Sequence, residues 1–93
     1  MAYLEITLKI EAANRSKAAD VYRKFKDEFL NSIPGARSKE LLVRGEDVQV
    51  LHGFDSLDNA RAYTDSKLFK ADVVTALTPL LSEAPDVRFY ECV

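Results

Sequence analysis

The chain has 93 residues, with 15 acidic and 13 basic side chains and a formal net charge of −2. This slightly acidic balance excludes the basic surface with which proteins bind nucleic acid or an anionic membrane. Hydrophobic residues make up 47% and charged residues 30% of the chain, which excludes a disordered protein and predicts a single globular domain over residues 1–93.

The cysteine content and the N-terminal sequence bear on the cellular compartment. Cys92 is the only cysteine, so the sequence predicts no disulfide within the chain and no cysteine metal cluster. The first residues lack the basic segment and apolar core of a signal peptide, and no apolar run reaches membrane-spanning length. We therefore expect a cytoplasmic protein that does not associate with membranes.

The first half of the chain is predicted to form a strand, a helix and a β-hairpin. Between Tyr3 and Ile10 apolar and polar residues alternate, the pattern of a strand with one buried face. An apolar stripe at spacings of three and four then predicts a helix, which Pro34-Gly35 ends. Two strands joined by a glycine-containing turn follow, over Arg37–Arg44 and Val48–Phe54.

The second half is predicted to contain an interrupted helix and a last strand. Asp55 or Ser56 caps the helix, Thr64-Asp65-Ser66 breaks it, and Pro79 ends the second piece. The last strand begins at Val87 and runs to about Cys92. The order βαββαβ predicts an α+β fold of the ferredoxin-like type, with a four-stranded antiparallel sheet and both helices on one face.

One face of this sheet has no predicted cover. Its residues are too apolar to face water and too polar to form the core of a monomer. We therefore expect a homodimer formed through this open face, since two-fold dimers are the commonest oligomers. The predicted open face contains Tyr3, Glu5, Thr7, Lys9, Leu42, Gln49 and Leu51.

His52, the only histidine, is the first candidate for chemistry. In the predicted strand it lies on the same inward face as Val48 and Val50. It is followed by Gly53, whose missing side chain leaves room for a ligand or a loop. We expect it to line a pocket and to relay a proton near pH 7. The alternative is a half-buried structural histidine bonded to a loop carbonyl or to Asp55. No metal site is predicted, because no second ligand lies at the required spacing.

Aromatic residues supply the other candidates. Tyr22 and Tyr63 lie on the inward stripes of the two helices and are candidates for orienting a substrate oxygen, although packing in the core is the commoner use of such tyrosines. Three phenylalanines are expected either in the core or along an apolar ligand cavity: Phe25, Phe54 and Phe69.

Three segments of the chain resemble the antibiotic biosynthesis monooxygenase-like family of dimeric α+β barrels. They are "IPGARSKELL" (Ile33–Leu42), "HGFDSLDNARAYTDSKLFKADVV" (His52–Val74) and "LTPLLSEAPDVRFYE" (Leu77–Glu91). The resemblance implies a homodimer with two sheets packed face to face and one pocket per subunit. It also implies cofactor-independent oxidation of a small quinol-like aromatic. The haem-degrading branch is not implied, because the chain has no tryptophan and its first strand has no asparagine.

Other proteins with this order of elements fit less well. An RNA-recognition module needs exposed aromatics in a basic frame on the middle strands, and "DVQVLHGF" offers neither. A metal chaperone needs a Cys-x-x-Cys loop, and an acylphosphatase needs a glycine-framed anion loop, where this chain has "EAANRS". Three hypotheses remain: a cofactor-independent oxygenase, a non-enzymatic or stress-related ligand-binding dimer, and a structural module whose pocket is filled by its own side chains.

Overall fold

A computed structural model describes all 93 residues and has the predicted order of elements. The four strands are β1 (Ala2–Leu8), β2 (Ala36–Val43), β3 (Val48–Phe54) and β4 (Asp86–Glu91). The two main helices are α1 (Arg15–Ser32), which follows a 3₁₀ turn over Ala12–Asn14, and α2 (Leu57–Thr64). A second helical piece contains a π-helical segment, Leu68–Val73, then α3 (Val74–Leu77) and a 3₁₀ turn, Thr78–Leu80.

The sheet is antiparallel throughout, with the order β2-β3-β1-β4. Along β1 the residues alternate between buried and half-buried, and the buried set, which includes Leu4 and Ile6, packs against the helices. The opposite set, which includes Tyr3 and Glu5, lies on the open face. The predicted ferredoxin-like α+β fold is therefore confirmed.

The ends of the helices follow from local chemistry. At Pro34-Gly35 the amide of Ala36 donates to the carbonyl of Ile33, and Gly35 has a φ of 79°, the pattern of a type II turn. Ser56 caps α2 by accepting a hydrogen bond from the amide of Asn59. The predicted break between the two helical pieces is also present, and there Ser66 accepts from the amide of Phe69.

The end of β1 differs from the prediction. The strand stops at Leu8 rather than Ile10, because the chain turns there toward the 3₁₀ segment before α1. Ile10 still forms an isolated antiparallel bridge with Leu81, and the carbonyl of Lys9 accepts from the amide of Ser82. Two short stretches far apart in sequence thus close this end of the molecule.

The core lies between the sheet and the helices. At its centre is an aromatic cluster in which Phe29 makes edge contacts with His52, Phe54 and Tyr63 at centroid distances of 5.3, 5.5 and 4.9 Å. Edge-to-face packing of this kind adds about 0.5–1.5 kcal/mol per pair beyond area burial. The cluster therefore holds His52 on a rigid support.

Candidate functional site

An apolar cavity of about 100 Å³ lies between the sheet and the helices. Its floor is one cross-strand row, in which β2, β3, β1 and β4 contribute Leu41, Val50, Ile6 and Val87. Its roof comes from α1 and from the helical stretch after α2, including Val21, Tyr22, Phe69, Val73 and Leu77. The next row toward the core supplies the polar end of the cavity, Lys39 and His52, which are direct partners across β2 and β3.

Lys39 is the cavity residue that the sequence analysis missed. Its side chain points to the helix-covered face, and only 4% of the residue is exposed. Its Nζ lies 5.2 Å from the centre of the Phe29 ring and forms no ion pair with a carboxylate. The sequence did contain evidence for this position. Lys39 is two residues before Leu41 in a strand, so both side chains lie on the same face, and pairing with β3 makes that face the inner one.

The environment of Lys39 disfavours its charge. Burial lowers the pKa of Lys39 from 10.5 to about 8, and the positive charge of Lys26 on α1 acts in the same direction. The ammonium form still dominates at pH 7, but the neutral amine becomes available near pH 8. At pH 7 Lys39 is therefore mostly a cation in an apolar cavity, and only its neutral form, which becomes available near pH 8, can accept a proton.

His52 lines the cavity and is 2% exposed. It is therefore fully buried, and not half-buried as the structural alternative assumed. Its Nδ1 lies 3.1 Å from the carbonyl oxygen of Leu4, a strand residue and not a loop residue. Because a carbonyl can only accept, Nδ1 carries the proton of the neutral ring and Nε2 is left as an acceptor.

The pKa of His52 is far below its usual value. Burial, followed by the charge of Lys39, lowers the pKa of His52 from 6.5 to about 3. The imidazole is therefore neutral at pH 7, and a relay that becomes charged near pH 7 does not fit this position. A part for His52 in ligand handling stays a prediction, now as a neutral hydrogen-bond acceptor.

The two tyrosines have different surroundings. Tyr22 lines the cavity, and its hydroxyl donates to the carbonyl oxygen of Lys39 at 2.7 Å. Tyr63 lies outside the cavity wall, behind His52 and Phe69, whose ring centres are 5.4 and 5.2 Å from its own. Its hydroxyl is buried without a hydrogen-bond partner, and burial raises the pKa of Tyr63 above its usual range. The substrate-orienting role of both residues stays a prediction.

The phenylalanines and Gly53 show how the cavity is bounded. Phe69 lies in the cavity wall, whereas Phe25 and Phe54 pack in the core outside it. Phe54 is two residues beyond His52 on β3, past the polar end of the cavity. Gly53 does not make room for a ligand: a Cβ there would collide with the hydroxyl of Ser38, beside the β2 irregularity.

A second buried charge, Asp47 in the hairpin, contrasts with Lys39. Asp47 is 1% exposed and accepts two hydrogen bonds of 2.7 Å from Arg44, from Nε to Oδ1 and from Nη2 to Oδ2. These bonds from Arg44 lower the pKa of Asp47. The chain therefore neutralises this buried charge internally and leaves Lys39 without an opposite charge.

Comparison with solved structures assigns the fold. A protein of Caulobacter crescentus CB15, named "putative antibiotic biosynthesis monooxygenase", matches with a TM-score of 0.84 and 21% identity over 99% of this chain and 89% of its own. A Nitrosomonas europaea protein of the same name matches with a TM-score of 0.84 and 9% identity, over 100% of this chain and 99% of that one. This chain has the same fold as these two proteins.

The same fold also occurs in proteins whose names give no activity. A protein of unknown function from Nitrosomonas europaea matches with a TM-score of 0.78 and 19% identity over 99% of this chain and 88% of its own. No protein-family model matches the sequence, and no curated protein matches it. At these identities the comparisons establish the shared fold alone, and the activity has to be argued from the cavity.

Two features that would point to another kind of site are absent. No helix is both long enough and apolar enough to cross a membrane. No three side chains of the histidine, cysteine, aspartate or glutamate type lie together as a metal site would need. The candidate site is the apolar cavity, and Lys39 and His52 form its polar end.

Proposed function

We propose that the protein is a cofactor-independent monooxygenase that oxidises a small, quinol-type aromatic substrate in the cavity. The observation that carries the proposal is an apolar cavity whose two basic residues, Lys39 and His52, are adjacent at one end. An engineered apolar cavity of about 150 Å³ accepts benzene, so about 100 Å³ with an opening to solvent suits one small ring. The shared monooxygenase-like fold supports the same conclusion.

The proposed reaction is balanced without an added reductant. The phenol ring transfers an electron to dioxygen, a C–O bond forms at a hydrogen-bearing ring carbon ortho or para to the phenol oxygen, and the phenol O–H proton ends on the outer peroxide oxygen. The resulting hydroperoxide loses water, taking the hydrogen of that carbon, and leaves a quinone carbonyl. One phenol and one dioxygen give one quinone and one water. The protein has to exclude bulk water and orient the ring.

The residues have separate parts in this proposal. His52, through its unprotonated nitrogen, accepts a hydrogen bond from the neutral phenol before the O–H bond breaks. Tyr22 and Phe69 offer ring faces, since the Tyr22 hydroxyl already donates to a backbone carbonyl. Tyr63 packs against His52 and fixes the imidazole plane. No cofactor is required.

Oxygen consumption by a panel of one-ring phenols and hydroquinones tests the proposal. We expect one dioxygen consumed per quinone formed, with no hydrogen peroxide. Ala18→Leu places extra volume in the cavity and should abolish turnover, whereas Ala19→Leu, on the same helix but outside the cavity wall, should retain it. Equal turnover by the two variants would contradict a reaction in this cavity.

A second candidate is a non-enzymatic small-ligand-binding module that uses the same cavity. It predicts saturable binding of a one-ring aromatic without oxygen consumption, so the panel separates it from the enzyme. The third hypothesis, a structural module with a self-filled pocket, is disfavoured because a cavity of about 100 Å³ is present.

We further infer a homodimer formed through the open sheet face. Two large hydrophobic side chains on this face, Leu42 and Tyr90, are 42% and 45% exposed. Leu51 lies between them and beside Glu5 and Glu40, its cross-strand neighbours. A second copy would cover the apolar residues and leave the charges to set the register. The exposed thiol of Cys92 supports a reducing, cytoplasmic location.

A further inference from the structure

We propose that Lys39 is the specificity-determining residue of the cavity, and that it makes the cavity a site for small aromatic ligands bound as monoanions through a single oxygen. This inference rests on the proposed cavity function and adds to it the charge state of the ligand. It depends on the hydrogen-bonding state of every polar side chain in the cavity wall.

Four polar side chains line the cavity, and three of them already donate hydrogen bonds to backbone carbonyl groups of the protein. The hydroxyl of Tyr22 donates to the Lys39 carbonyl at 2.7 Å, and the hydroxyl of Thr78 donates to the Val74 carbonyl at 2.7 Å. Nδ1–H of His52 faces the Leu4 carbonyl. Lys39 is therefore the only wall residue with free hydrogen-bond donors.

The charges around Lys39 leave it without an opposite charge. From α1 it faces Tyr22, Phe29 and the like charge of Lys26, and from β3 it faces the neutral His52. The helical stretch over the cavity contributes only apolar side chains and Thr78 to the wall. A buried ion without a partner is costly, and an anionic ligand would supply the missing charge.

The geometry selects a phenolate in preference to a carboxylate. Lys39 is a point charge, and it has no second donor beside it to form the fork that pairs with both oxygens of a carboxylate. A carboxylate would bury one oxygen without a partner. A phenolate has one oxygen for Nζ and an apolar ring for the aliphatic floor formed by Leu41, Val50 and Ile6.

The lysine also accounts for the proton when the ligand arrives as a neutral phenol. The phenol O–H breaks, its proton moves to the neutral amine, and the product is an ammonium paired with a phenolate. No other reactant is needed. Once formed, the ion pair favours the protonated lysine, so binding should make Lys39 harder to deprotonate.

The test is anaerobic binding of 4-nitrophenol, whose phenolate is distinguished from the phenol by its longer-wavelength absorption, compared with 4-nitroanisole, its uncharged methyl ether. We expect the unaltered protein to bind the phenolate at least tenfold more tightly than the ether and to shift the ionisation of the bound phenol to lower pH. Lys39→Met should lose this preference and this shift but still bind the ether, which shows that the cavity is intact.

Lys26→Met is the matched control, because Lys26 is a nearby lysine outside the cavity wall. It should keep the preference for the phenolate. The proposal is overturned if Lys39→Met binds the phenolate as tightly as the unaltered protein, or if the unaltered protein does not prefer the phenolate. If the phenolate binds in a Lys39-dependent way but no oxygen is consumed, the oxygenase function is refuted and the role of Lys39 stands. If Lys39→Met turns over substrate as fast as the unaltered protein, the role of Lys39 is refuted and the oxygenase function stands.

Discussion

Lys39 and His52 are direct cross-strand partners on β2 and β3, and both side chains are buried under the helices. Burial lowers the pKa of both groups, and the positive charge of Lys39 lowers the pKa of His52 further. One remains a cation at neutral pH and the other is neutral. This difference between two adjacent groups is the chemical basis of the cavity.

Replacing Lys39 with methionine should increase the free energy of unfolding at pH 7 by about 3 kcal/mol. The pKa of Lys39 falls from 10.5 in the unfolded chain to about 8 in the folded one, so the unfolded state binds the proton more tightly. Burial of the Lys39 ammonium group lowers the free energy of unfolding by its full amount below pH 8, and this destabilisation disappears as the pH rises toward 10.5. Urea unfolding of both proteins should show the difference shrinking by about 2 kcal/mol between pH 7 and pH 10. A difference independent of pH would mean that Lys39 is not desolvated.

Mild acid should destabilise the protein through His52. The pKa of His52 is about 3 in the folded state and 6.5 in the reference state, so only the unfolded chain gains this proton between pH 6.5 and pH 3. The stability due to neutral His52 is present above pH 6.5 and is lost as the pH falls. The free energy of unfolding should drop by about 2 kcal/mol from pH 7 to pH 5, a range above the usual carboxylate pKa values. His52→Gln has no group to titrate in this range and should show a much smaller drop.

The hydroxyl groups of Tyr63 and Tyr22 should have opposite effects on stability. The Tyr63 hydroxyl is buried without a partner, so Tyr63→Phe should raise the free energy of unfolding by about 1 kcal/mol. The Tyr22 hydroxyl donates to the Lys39 carbonyl, so Tyr22→Phe should lower it by about 1 kcal/mol. Chemical denaturation of the pair measures both changes. Destabilisation by Tyr63→Phe would reveal a partner for that hydroxyl, such as a tightly held water.

The open sheet face should be the dimer interface. Leu51 has Glu5 and Glu40 as its cross-strand neighbours, so a lysine there would be tolerated in a monomer but would place a charge in a covered interface. Light scattering at micromolar concentration should give a dimer for the unaltered protein and a monomer for Leu51→Lys. Ala62→Lys, on the exposed side of α2, is the control and should remain a dimer. A monomeric unaltered protein would refute the interface.

The sequence by itself determined the order and type of the elements. Alternating apolar residues specified β1 and β3, Pro34-Gly35 marked the end of α1, and Asp55-Ser56 marked the start of α2. These signals are local, because a side chain, its own backbone and its near neighbours are enough to produce them. The inward position of His52 also followed from parity alone, since a strand places alternate residues on the same face.

The tertiary structure decided which polar groups meet and what their charges are. The pairing of Lys39 with His52, the Leu4 carbonyl opposite Nδ1 and the unpartnered Tyr63 hydroxyl all depend on strand register and helix packing. The π-helical segment Leu68–Val73 was equally invisible in the local pattern. A pKa depends on the solvent and charges that the whole fold places around a group. The sequence therefore showed that His52 points inward, but only the assembled fold makes it neutral and leaves Lys39 as the one free cation in the cavity.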